Sequence, residues 1–337
     1  MLGQRGFWTG LTDTDSLSCQ REIDALESVI EVLPDYAPGY RSLCLAYAYA
    51  GSSVQAVRAA TRYTELEPDD PDRGLLLASV YALAGEHDRA LEVLEAAEPG
   101  KPASFWAEKL RGDILLAKGM CRRAAESYAR FVRQAPYEAA RCDGFFLIGL
   151  TRMEQGRYPE AKEAFEKSDY PGGPGSRVHL GRGLIYERQG RTDLARAEAD
   201  RMELADADSA GTPPAWRHVL IGRVLMGEDR WKDAVQVLEQ AAAETPFPDR
   251  FLCLIPLAES LQRAGHSETA LRVLEHALEV NPAYAPARYW QARILEEEGL
   301  PDEGLVAYQT FLETWHDADP DLPMLVDAKR RMKRLLQ

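Results

Sequence analysis

Apolar positions in this chain recur at helical spacing, in short stretches that stop at a turn residue and begin again. Between about Asp72 and Leu83, the residues Leu77, Ala78, Tyr81 and Ala82 fall on one side of a helix. Gly85 closes that stretch, because glycine tolerates the left-handed backbone that follows a helix C-terminus. His87-Asp88 then opens a second helix, with Ala90, Leu94 and Ala97 on its inner face. Two helices joined by so short a turn predict an antiparallel hairpin. Small residues sit where the backbones approach, and Tyr81 and Leu94 fill the gap to the next hairpin.

This unit repeats. Small residues stand at Cys44, Ala78, Gly112, Gly149, Gly183, Gly222, Ala258 and Ala292. Seven positions after each comes a turn residue: Gly51, Gly85, Gly119, Gly156, Gly190, Asp229, Gly265 and Gly299. Five positions later stand Ala56, Ala90, Ala124, Ala161, Ala195, Ala234, Ala270 and Gly304. Successive turn residues are 34, 34, 37, 34, 39, 36 and 34 apart. No hairpin of this length buries its apolar face alone, so each must stack on its neighbours. The pattern predicts an all-α chain of about eight stacked hairpins.

Tyr40, Cys44, Tyr47, Gly51, Ala56 and Pro68 give the order bulky, small, aromatic, turn glycine, small, closing proline. Ala258, Leu261, Gly265, Ala270, Ala277 and Pro282 follow it again, and Pro34-Asp35-Tyr36-Ala37 and Pro282-Ala283-Tyr284-Ala285 mark joints between units. These residues resemble the tetratricopeptide repeat (TPR), over nearly the whole length from Asp35 to Ala318. The resemblance implies a right-handed α-solenoid, or superhelix, capped at both ends. Residues 1–15 read as an extension whose Phe7-Trp8 cover an apolar end. Residues 16–34 read as a half-repeat capping helix with Ile23, Leu26, Ile30 and Leu33 on one face. Residues 35–318 hold the eight repeats, and 322–337 a second cap striped by Leu325, Ala328, Met332 and Leu335. Two irregular joints, at Tyr170–Gly175 and Ala205–Pro214, read as surface insertions.

Composition then narrows the chemistry. Forty basic against fifty-four acidic side chains give a net charge of −14, which argues against a nucleic-acid partner. There is no 18-residue apolar run to span a membrane and no apolar signal core at the start. A cytoplasmic location is expected, although a form exported with its signal removed would read the same. Five cysteines without a CxxC and six histidines without an HxxxH predict neither disulfides nor a metal site. No nucleophile elbow or phosphate loop occurs, so no enzyme and no cofactor are expected. Glu296–Glu298 and Asp317–Asp321 read as solvated acidic faces rather than cation loops. Lys329, Arg330, Arg331, Lys333 and Arg334 read as the solvated face of the C-terminal cap, with an anionic surface as the alternative.

The resemblance places function on the first helix of each pair, which in the family lines a concave wall that holds peptides or other proteins. Helical phase nominates Arg41, Leu45, Tyr49, Ser79, Trp106, Lys109, Asp113, Phe146, Leu150, Met153, Glu187, Arg223, Glu259, Tyr289 and Arg293. The wall is expected to be apolar and aromatic as far as Met153 and charged beyond it. One family subtype grips a C-terminal carboxylate with lysine, arginine and paired asparagines. Leu45 and Ser79 stand where those asparagines would be, so that mode is not expected here. The leading expectation is a non-enzymatic protein–protein interaction scaffold holding a peptide or protein segment, with a second copy of the chain among the partners the wall admits. The alternatives are a regulatory or sensory segment of a signalling or transcription system, and a small-ligand binder or enzyme using one end of the groove.

Overall fold

The computed structural model describes residues 20–50, 52–70, 72–96, 105–169, 176–207, 214–245 and 250–337. Among these residues there is no strand. A helix over residues 20–32 (α1) comes first. Eight helical hairpins follow. They are α2 Ala37–Tyr49 with α3 Ser53–Leu66, α4 Arg73–Leu83 with α5 His87–Glu95, α6 Phe105–Ala117 with α7 Cys121–Gln134, and α8 Glu138–Glu154 with α9 Tyr158–Glu166. The others are α10 Ser176–Arg188 with α11 Thr192–Ala207, α12 Pro214–Gly227 with α13 Trp231–Glu244, α14 Phe251–Arg263 with α15 Ser267–Val280, and α16 Ala285–Glu297 with α17 Pro301–Thr314. A last helix, α18, spans Pro323–Leu335. The architecture is an all-α solenoid. Phe7-Trp8, Gly51 and the joint at 170–175 lie outside the described residues. Of the joint at 205–214, residues 205–207 are the last turn of α11.

The chain divides into two compact units, one of Met1–Ala107 with Glu279–Ala283 and one of Glu108–Leu278 with Tyr284–Gln337. In the first, Ile23, Leu43, Cys44, Ala56, Ala60 and Val80 form a buried cluster shared by α1 to α4. In the second, Phe146, Phe165, Leu180, Met202 and Leu220 join α8 to α12, while Tyr289, Tyr308, Phe311, Trp315 and Leu325 join α16 to α18.

One turn geometry serves the seven hairpins whose turn residue lies among the described residues. The residue two beyond the first helix's C-cap donates its amide to a carbonyl five residues back, as in Glu86 to Tyr81 (2.8 Å), Arg157 to Arg152 (2.9 Å) and His266 to Leu261 (2.8 Å). That bond requires the residue before it to take a left-handed conformation. Gly85, Gly119, Gly156, Gly190, Gly265 and Gly299 do so, with φ between 70° and 85°. Asp229 does so as well, at φ 59°, and it is the one non-glycine with positive φ among the described residues. A short polar side chain tolerates this conformation better than other non-glycine residues, at some cost relative to glycine.

The recurring small residues set how closely the helices approach. Cys44, Ala78, Ala258 and Ala292 on the first helices, and Ala56, Ala90, Ala124, Ala161, Ala195, Ala234 and Ala270 on the second, have no exposed surface. At the glycine positions a large side chain takes the room. A Cβ at Gly112 would lie 2.5 Å from the Tyr128 ring, one at Gly149 2.5 Å from Phe165, and one at Gly222 2.5 Å from Leu238. The facing residue stands sixteen positions on in each case. At Gly183 the corresponding residue is Ala199, and Leu220 from the next hairpin fills the space instead.

Two variants test these local arguments with opposite signs. Asp229→Gly removes the left-handed cost and should raise the unfolding free energy by ~0.5–1 kcal/mol in a denaturant titration. Gly149→Ala improves helix propensity, but its methyl must displace the buried Phe165 ring. It should lower stability by ~1–3 kcal/mol.

Candidate functional site

Consecutive first helices in the second unit bring charged side chains together. Glu187 on α10, Arg223 on α12, Glu259 on α14 and Arg293 on α16 alternate in sign. Arg223, Glu259 and Arg293 each stand six residues before their turn residue, and Glu187 stands three before its own, about one helical turn further along. Glu187 and Arg223 are 3.6 Å apart, an ion pair too long for a good hydrogen bond. Both side chains are about one-fifth exposed, as is that of Arg293. Arg293 bonds Glu297 at 3.1 Å and lies 4.6 Å over the Trp290 ring. Glu297 also accepts a bond from Gln262 on α14 at 2.6 Å.

The electrostatic couplings reach across several helices. Burial pushes the Glu259 carboxyl up, against the pull of Arg223, Arg293 and Arg263, and Glu187 adds to the rise. The Glu154 carboxylate, 3.1 Å from Arg188, raises that guanidinium's pKa, with Glu187 and Glu259 contributing despite burial. Burial raises the Tyr284 phenol, and it too senses Glu154 and Arg223. Side chains from α8, α10, α12, α14 and α16 therefore share one electrostatic neighbourhood. Glu187 Oε2 and Arg293 Nε are buried atoms without a hydrogen-bond partner, so some of the ladder's bonding capacity is unmet.

The other nominated residues fall into distinct places. Arg41 and Tyr49 are exposed on α2, and Leu45 packs against the first unit's core. The Ser79 hydroxyl donates to the Leu75 carbonyl at 2.8 Å. Trp106 is 38% exposed and lies 4.8 Å from the Phe105 ring. Lys109 and Asp113 pair at 2.7 Å, and Asp113 also accepts from the Tyr128 hydroxyl at 2.8 Å. Four aromatic or apolar nominees of the second unit depart from the expectation of an open wall. Phe146 is buried between Phe165 and Trp216, at 5.4 and 5.6 Å, and Met153 and partly buried Leu150 belong to the same cluster. Tyr289 is buried among Tyr308, Phe311 and Trp290, its hydroxyl donating to Asp327 at 2.7 Å. Their phase turns them inward, against the second helices α9 and α17 of their own hairpins, with Trp216 of α12 closing over Phe146. Glu154 and Arg188, absent from the nominated set, stand one residue beyond the nominees Met153 and Glu187, and Arg263 stands one helical turn beyond Glu259.

The two acidic runs and the basic run are engaged with the chain itself. Glu296 accepts bonds from Tyr308 (2.9 Å), Arg331 (3.0 Å) and Arg334, and Asp327 accepts from Tyr289, Arg331 (2.7 Å) and Arg330. Burial alone would raise both carboxyls, but these donors outweigh it and hold each below the usual carboxylate range. Glu298 accepts from Ser267 at 2.6 Å. Three of the five basic residues on α18 are thus paired, as an ordinary cap would have them. Burial pushes the Cys44 and Cys121 thiols up to about 12, far from a reactive thiolate at neutral pH. Among the described residues no group of three or more His, Cys, Asp or Glu is placed to hold a metal ion, and no helix is long and apolar enough to cross a membrane.

Comparison with known proteins agrees with this architecture. The family model described as "Tetratricopeptide repeat" matches residues 43–105, 146–211 and 255–323, more than half of the chain. The chain belongs to the tetratricopeptide repeat family, whose members generally mediate protein–protein interaction. Among solved structures, a chain of the APC/C hetero-tetramer Cut9-Hcn1 is 14% identical with a TM-score of 0.45. The match covers 94% of this chain, which spans only 59% of that one. A tetratricopeptide repeat protein from Parabacteroides merdae is 13% identical, covering 93% of this chain and all of that one, with a TM-score of 0.38. The TPR domain of P58(IPK) is 15% identical over 93% of each chain, with a TM-score of 0.30. A search of curated proteins gave no match.

The carboxyl shifts predict opposite pH behaviour. Asp327 has a lowered pKa in the fold, so its contribution is present above the unfolded pKa and is lost as pH falls through the folded one. Asp327→Asn should cost ~1.5–3 kcal/mol at pH 7, and the deficit should vanish in acid. Glu259 has a raised pKa, so its ionised form opposes folding at neutral pH, and the opposition fades as pH falls through that raised value. Glu259→Gln should be at least as stable as the parent at pH 7, and its advantage should disappear on acidification. Thermal unfolding across pH reads both.

Proposed function

We propose that this chain is a non-enzymatic interaction scaffold that holds a protein or peptide segment against the alternating ladder Glu187–Arg223–Glu259–Arg293. The observation that carries this reading is the set of alternating charges on consecutive first helices, three in one register and Glu187 a turn further along, partly desolvated and only loosely paired with each other. Charges in that state are already organised, so a ligand that completes their bonding adds contacts at little ordering cost. The alternation also selects. A ligand of one sign meets repulsion at every second rung, whereas an extended segment carrying both signs meets attraction along its length. Trp106, exposed on α6, and the exposed Arg41 and Tyr49 on α2 are contacts the first unit offers to the same class of partner. A reducing, cytoplasmic setting belongs to the same proposal, supported by four described cysteines that are all buried free thiols.

A random-peptide display library panned on the purified chain tests this. The expected result is enrichment of a shared segment containing both acidic and basic residues. Its binding should fall about tenfold or more in Arg223→Glu, a change of ~1.4 kcal/mol or more. Enrichment of segments that bind Arg223→Glu and Arg293→Glu as well as the parent would remove the ladder from the site.

A further inference from the structure

Most packing in this chain is between an element and its next or next-but-one neighbour. The second unit also contains a contact between residues nearly two hundred positions apart. The Trp315 indole donates to the Ala117 carbonyl at 2.9 Å, and the Asp319 amide donates to the Gly119 carbonyl at 3.0 Å. The Asp319 carboxylate accepts from the Arg122 backbone amide at 2.9 Å, and Asp321 pairs with the Arg122 guanidinium at 2.9 Å. Asp317 stands 3.8 Å from the buried ammonium of Lys118. An apolar contact backs these bonds, because Cys121 and Leu116 pack into the cluster holding Trp315, Ala318 and Leu322.

Two details show that the contact is built rather than incidental. The N-cap residue of α7, Met120, makes no side-chain cap bond, and Asp319 supplies a carboxylate to the first turn of that helix from the far end of the unit. Gly119 also answers two demands at once. It has the turn's positive φ of 71°, and a Cβ there would come within 2.7 Å of the Ala318 Cβ and 3.0 Å of the Trp315 ring. Gly156 has the same φ in an equivalent turn with nothing within 4 Å, so a turn of this kind does not by itself require such closeness.

We propose that residues 315–322 are a clasp closing the second unit on itself, and that the unit opens at this seam while its repeats stay folded. Stacked repeats hold together through neighbour contacts, so releasing a contact between distant repeats leaves each hairpin its own core. Opening changes the spacing of the first helices and exposes Gly119, Arg122 and the 315–322 segment together. The clasp stands independently of whether the charged ladder holds a peptide.

The test compares three variants of the full chain by hydrogen exchange, circular dichroism and small-angle scattering. Gly119→Ala introduces a methyl where Ala318 and Trp315 sit, and the double variant Asp319→Ala/Asp321→Ala removes the ionic half without touching a left-handed hairpin turn. Gly156→Ala carries the same backbone strain and no clasp contact. The expected result is that both clasp variants raise exchange at the Arg122 and Asp319 amides about tenfold or more and increase the radius of gyration, with helical signal unchanged. The Gly156→Ala variant should change neither amide. Clasp variants as protected and as compact as Gly156→Ala would overturn the proposal. So would a loss of helical signal in step with the seam's exposure in both clasp variants, because the seam would then be inseparable from the repeats.

Discussion

Everything in this structure depends on how closely two helices can approach before a side chain stops them. In each hairpin the answer is a hydrogen atom, a methyl or a thiol at one fixed place on the first helix and a small residue at one fixed place on the second. Close approach fixes the turn, because only a left-handed residue brings the second helix back at that distance. The repeated turn gives the described hairpins a common internal geometry, and within the second unit it brings residues about one repeat apart near one another. The row Glu187, Arg223, Glu259 and Arg293 is thus a distant product of spaces that glycine and alanine leave empty.

The features legible in the sequence are those set by backbone geometry. Seven of the eight turn residues read from spacing have the expected left-handed backbone, and the eighth, Gly51, lies outside the described residues. The eight recurring small residues of the first helices, from Cys44 to Ala292, are all buried. Legibility falls off where rotation about a helix axis decides. Phe146, Met153 and Tyr289 were placed by phase on an open wall, yet they are buried, Phe146 under α9 and α12 and Tyr289 under α17. Glu154 and Arg188, by contrast, lie one residue further round than Met153 and Glu187 and join the charged cluster. One residue is about 100° of rotation, enough to exchange a core position for an open one. The role of Asp319 was illegible for a different reason, since its partner is 197 residues away and no local pattern encodes that meeting.

Charge in this protein serves mostly as internal wiring. The chain carries −14 overall, and its most conspicuous basic run is largely taken up by Asp327 and Glu296. Those bonds fasten α18 to α16, while Tyr308 bonds the same Glu296 from α17. A carboxylate receiving three donors from two other helices ties the last repeat to its cap more specifically than apolar contact does, because the donors must arrive from fixed directions. The ladder is the contrast. There the pairs are longer and some polar atoms lack partners, which separates groups that hold the fold from groups that remain available to a ligand.

The exchange at Gly183 sets a limit on modularity. At Gly112, Gly149 and Gly222 the niche left by the glycine is plugged from within its own hairpin, which in that respect is a self-contained cassette. At Gly183 the plug is Leu220, which belongs to the following cassette. Excising the hairpin of α12 and α13 would leave a hollow against α10, and splicing in a foreign one would succeed only if it brought a side chain of similar reach. At this niche the sixth hairpin completes the fifth, just as Phe165 of the fourth fills the space at Gly181.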